Sequence, residues 1–96
     1  MQEEKRPGVN PDLSWRLLDG EAVIVSPVTG KIRVLNAVGT EIWQLLASGA
    51  SIETIEAALV EHHRISMHKA QEDVTAFLQE LTERKLIIWQ TTRLES

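Results

Sequence analysis

The chain has 96 residues, 43% of them hydrophobic and 25% charged. That composition is globular rather than disordered, and the length allows one domain with one core, without room for a deep catalytic cleft as well. Ten Lys and Arg stand against 14 Asp and Glu, a formal charge of −4, which argues against a polyanion or an anionic membrane as the main partner.

Residues 1–12 carry two of the three prolines and alternate in charge. They read as a flexible arm, one that leaves either a monomer or an arm-exchanged dimer open. From Leu13 the hydrophobic period falls to about two. Ser14 to Leu18 reads as a first strand, Asp19-Gly20 as a hairpin turn and Ala22 to Val25 as a second strand. After the turn Ser26-Pro27-Val28-Thr29-Gly30, Lys31 to Leu35 reads as a third strand. The period then becomes helical. Asn36 caps a helix with Val38, Ile42, Leu45 and Leu46 on its apolar side and Gly49 as its stop. Ser51 caps a second helix with the stripe Ile52, Ile55 and Leu59. Ser66 caps a third, Met67 to about Arg84, with Ala70, Val74, Phe77, Leu78 and Leu81 inward. Leu86 to Trp89 reads as a short tail or strand, and 90–96 as a flexible tail. The expected class is α+β and winged-helix-like: a three-stranded antiparallel β-meander followed by three α-helices, folded over residues 13–89.

Catalytic chemistry is not visible. Cysteine is absent, which removes thiol nucleophiles, disulfides, and thiolate metal or iron–sulfur sites. Ser51 and Ser66 occupy capping positions, and no serine lies in a nucleophile elbow. The adjacent acids Glu72 and Asp73 point about 100° apart on a helix, so they read as a solvated face. His62 and His63 are neighbours at a helix end, where a cation suits the dipole, and His68 lies beyond a loop; this is not a metal-ligand spacing. The expectation is a protein that is not an enzyme and takes no cofactor and no metal. The charged start of the chain is no secretory signal, and Leu86-Ile87-Ile88-Trp89, the longest apolar run, is far short of a membrane span. A cytoplasmic protein with no membrane partner follows as the expectation.

Two binding readings remain. The helical pair resembles a helix-turn-helix, so a winged-helix DNA-binding regulator is the alternative. Its second helix, however, carries Lys69 and Arg84 against Glu72, Asp73, Glu80 and Glu83, a face that phosphate would be repelled from. Lys31 to Leu35, the outer strand of the meander, instead offers an edge to a strand from another chain; Lys31 and Arg33 there also fit a role as guards against aggregation.

The stretch Leu35-Asn36-x-x-Gly39-x-x-Ile42-Trp43-x-Leu45-Leu46-x-x-Gly49, then Ile52-x-x-Ile55 and Asp73-Val74-x-x-Phe77-Leu78-x-x-Leu81, resembles the PqqD family. These are small peptide chaperones, also described as RiPP recognition elements. The resemblance spans Trp15 to Ile87. It implies a winged-helix-like fold that binds the leader segment of a ribosomally made precursor peptide and delivers it to a modifying enzyme. It implies that the leader adds as a strand beside Lys31, Ile32, Arg33, Val34 and Leu35 and packs against Asp73, Val74, Ala76, Phe77 and Glu80. Leu35, Ile42, Leu45 and Leu81 match the family's core. The tract from Ser26 to Val34 lacks the aromatic and acidic lead-in of the quinone-cofactor branch. The chain therefore looks more like stand-alone recognition subunits of peptide pathways, lasso-peptide systems among them. Such a subunit has a leader peptidase as its partner, in place of a radical SAM enzyme.

Overall fold

A computed structural model describes the backbone of residues 2–94 and the side chains of residues 5–90. Eight elements follow in order: β1 (Gln2–Val9), β2 (Ser14–Leu18), β3 (Glu21–Val25), β4 (Ile32–Val34), α1 (Ala37–Ala47), α2 (Ile52–His63), α3 (Met67–Glu83) and β5 (Ile87–Leu94). Strands β2, β3 and β4 form the expected antiparallel meander. Asp19 and Gly20 both take positive φ, 53° and 80°, the conformation of the tight turn whose twist matches the flanking strands. The third strand is shorter than the stretch from Lys31 to Leu35, although Lys31 and Leu35 extend its ladder: Ser26 N–H donates to Lys31 O at 3.0 Å and Leu35 N–H to Ala22 O at 2.9 Å.

The three helix caps are those read from the sequence. Asn36, Ser51 and Ser66 accept from the backbone N–H of Gly39, Thr54 and Lys69, each satisfying a donor that has no partner within its helix. The helices cover one face of the meander. Ala22 and Ile24 from β3, Ile42, Trp43 and Leu46 from α1, Ile55 and Leu59 from α2, and Ala70, Val74, Leu78 and Leu81 from α3 form one buried core. Trp15 closes it, edge-on to Trp43 at 6.0 Å between ring centroids. Thr40, itself buried, pins α1 to the sheet: its Oγ1 accepts from Ala22 N–H at 2.9 Å and donates to Leu35 O at 3.2 Å. The first turn of α1 is thereby held at the end of β4.

The chain termini differ from the sequence reading. Residues expected as an arm and a tail pair with each other, β1 antiparallel to β5 from Gln2↔Leu94 to Val9↔Ile87; Met1, Glu95 and Ser96 lie outside the described residues. Pro7-Gly8 in a charged stretch has the signature of a loop, but the register removes the objection. Asn10 N–H donates to Leu86 O, so even-numbered residues of β1 face β5 and Pro7, with no N–H to offer, faces outward. Among the described residues, no helix is long and apolar enough to cross a membrane.

Candidate peptide-binding edge and groove

Strand β4 pairs with β3 on one side only. The bonds at Lys31 and Leu35 fix the phase of its ladder: Lys31, Arg33 and Leu35 turn their backbone groups to β3. Ile32 and Val34 therefore aim both N–H and C=O at the open edge. Their side chains stand on the sheet face away from the helices and are exposed, 67% and 56%. This is an unprotected strand edge.

Between that edge and α3 runs a groove of about 490 Å³. Arg33, Val34 and Leu35 form one wall. Asp73, Ala76, Phe77 and Glu80 form the other, at the i, i+3, i+4, i+7 spacing that puts them on one face of α3. The structure brings seven of the ten expected residues together along this groove; Lys31 and Ile32 lie beyond it, in an adjoining pocket at the other end of β4. Val74 does not line the groove. It is fully buried in the core, because one residue's step from Asp73 turns a side chain about 100° around the helix. Leu35 is also largely buried and serves chiefly as floor.

Sequence reasoning missed the end wall. Asn36, Val38, Gly39 and Ile42 close the groove from the first turn of α1. Val38, read as core, is partly exposed there. Gly39 has a reason to lack a side chain: a Cβ on it would stand 3.3 Å from Phe77 Cζ and 3.3 Å from Asn36 Oδ1. A glycine inside an otherwise helical pattern was the available signal of such a close approach.

Charges border the groove in pairs. Glu80 bonds Arg33 and, at 3.3 Å, Arg84 Nε; Asp73 bonds Lys69 at 3.1 Å, and that bond raises the lysine's pKa. Burial, with the nearby Arg84 guanidinium, lowers that of Arg33. The cations that a recognition helix would offer to DNA are thus held by its own carboxylates. Away from the groove, Glu41 on α1 bonds His62 Nδ1 at 2.6 Å and His63 Nε2 at 2.9 Å. Those bonds outweigh the burial that would raise the carboxyl, so Glu41 titrates below its ordinary value, while the bond from Glu41 raises His62. No group of three or more His, Asp or Glu side chains among the described residues is placed to hold a metal ion. A second groove, about 480 Å³, lies on the other flank of α3 between Ile52, Leu78 and Trp89.

Residues 21–87 match the family of coenzyme PQQ synthesis protein D (PqqD). The chain belongs to the PqqD family. The matched span runs from β3 to the start of β5 and contains the whole edge and groove. Among solved structures, TbiB1 in complex with the TbiA(beta) leader peptide is similar at 28% identity and a TM-score of 0.80, over 83% of this chain and 93% of that one. Lasso peptide synthetase B1 complexed with the leader peptide shares the fold at 22% identity and a TM-score of 0.80, over 86% of this chain and 98% of that one. Among curated proteins, none matches. Fold class and family are thus those the motif implied, and nothing in these likenesses supports the DNA-binding alternative.

Proposed function

We propose that this PqqD-family protein is a cytoplasmic recognition element. It binds the leader segment of a ribosomally made precursor peptide as an added strand on β4 and hands it to a separate modifying enzyme or leader peptidase. The observation that carries the reading is the open backbone of Ile32 and Val34 beside a groove walled by Ala76, Phe77 and Val38. Main-chain pairing supplies affinity, and the groove selects side chains. The likeness to a chain solved with a leader peptide supports the nature of the ligand. The protein itself carries no chemistry in this reading: its polar groups at the groove are paired ions, with no nucleophile set beside a base.

The test is an anisotropy titration of the fluorescein-labelled leader from its own precursor, with a labelled DNA duplex as control. Saturable binding of the leader, an unchanged peptide mass and no salt-sensitive binding to the duplex are expected. Duplex binding that falls steeply with salt, together with no leader binding, would reverse the assignment.

A further inference from the structure

At the Lys31 end of β4, next to the groove, lies a smaller cavity of about 230 Å³. Its rim is Ser26, Thr29, Lys31, Arg33 and Arg84, above the buried side chains of Ile24 and Leu86. Three cations therefore converge on one cavity in a chain whose formal charge is −4. Among the described residues, the one carboxylate bonded to them is Glu80, which Arg33 and Arg84 share. Lys31 has no ion pair among the described residues. The cavity is left with an excess of two positive charges. In addition, Arg33 Nε is buried and has no hydrogen-bond partner among the described residues. A buried donor without an acceptor is costly, and an incoming anion would supply the acceptor.

We infer that this cavity receives a carboxylate side chain of the bound peptide, an Asp or Glu lying over Lys31 and Arg33. The inference rests on the reading of β4 as the leader edge. Arg33 lines both the cavity and the groove, so a single extended peptide passes both. From Lys31 to Leu35 is four residues, about 13 Å at the rise of a strand. Side chains four apart on a strand share a face. The peptide that fits therefore carries an apolar residue for the groove and an acid about four positions away, both pointing to the helix side. Asp73 at the groove and the basic cavity also set the peptide's polarity: an acid at the groove end would face the Asp73 carboxylate.

The probe is the same fluorescein-labelled leader, made also with each Asp and Glu changed in turn to Asn or Gln, and to Lys. It is titrated against wild type and Lys31→Glu at low salt, with inorganic phosphate and acetate as competitors at matched ionic strength. Lys31 is exposed, so its reversal leaves the melting temperature nearly unchanged, which a thermal melt checks. One acid position should matter. Neutralising it should weaken wild type about three- to tenfold, leave Lys31→Glu indifferent, and its change to Lys should restore binding to Lys31→Glu. Arg84→Gln, which keeps a polar side chain while removing its charge, should lose affinity for the same position. Competition by phosphate or acetate alone, with every leader acid silent, would make this a site for free anions and overturn the inference. A leader that binds and shifts the Ile32 and Val34 amides, yet shows no dependence on its acids or on Lys31, would overturn it while sparing the edge. A leader that does not bind at all would remove both.

Discussion

Proline substitution along β4 separates binding from folding, because neighbouring residues of the strand face opposite ways. Val34 aims its N–H at the open edge, and its side chain is 56% exposed. Val34→Pro removes no bond to β3, and edge strands tolerate proline where the N–H faces outward. Its cost to stability should stay near 1 kcal/mol, for the lost contact with Val23 across the ladder. The cost to binding is larger. One ladder bond is lost, about 0.5–1.5 kcal/mol, and one peptide carbonyl is left without a donor, about 1–3 kcal/mol more. At about 1.4 kcal/mol per tenfold, the complex should weaken between ten- and a thousandfold. Arg33→Pro is the complement. Arg33 is paired with Ile24 in the middle of the ladder, so the proline removes a bond that holds β4 to β3 and should lower stability by about 2–4 kcal/mol. Urea melts followed by circular dichroism, beside anisotropy titrations of the labelled leader, measure both quantities. Val34→Pro that unfolds the domain, or that folds and binds the leader as wild type does, would refute the assignment of the open edge.

Three further outcomes follow from particular contacts. Gly39→Ala gains helix propensity but presses on Phe77 at 3.3 Å; the half-buried ring should swing into the groove, so that leader affinity falls severalfold while the melting temperature moves little, as titration and melts would report. Thr40→Val keeps the shape but strips Ala22 N–H of its acceptor and should cost about 1–3 kcal/mol in a urea melt. Glu41→Gln tests the tie between α1 and α2. His62 has a raised pKa, so its share of stability is full below about 6.5 and fades as pH climbs through the folded value; Glu41 has a lowered one, so its share is full above about 4.5 and fades as pH falls. The stability gap between wild type and Glu41→Gln should therefore be widest between about pH 5 and 6.5 and narrow as pH rises above that window, and NMR titration should find the His62 pKa lower in the variant.

Much of this arrangement could be read from local rules. Asp19-Gly20 has one common use between two alternating stretches, and Asn36, Ser51 and Ser66 each precede an apolar run of helical period; all four do in the structure what their types favour. The open edge followed from the order of the meander. What failed to show is what depends on partners distant in sequence. The ribbon of β1 and β5 joins residues 78 to 92 positions apart by backbone bonds, which leave little trace in side-chain pattern. The bonds from His62 and His63 to Glu41 span 21 and 22 residues. Val74 lies beneath the groove wall while its neighbour Asp73 lies on it, because a motif carries sequence spacing while inward or outward on a helix turns on a single residue. The basic cavity joins Lys31 and Arg33 to Arg84 across the domain, and no linear pattern connects them.

The central claim is strand addition at β4, and amide hydrogen exchange reads it residue by residue. In the free protein, the amides of Ile32 and Val34 should exchange fast while that of Arg33, turned to β3, is protected. With the leader bound, Ile32 and Val34 should slow by about tenfold or more and Arg33 should change little. A leader that binds while Ile32 and Val34 still exchange as fast as in the free protein would contradict the claim.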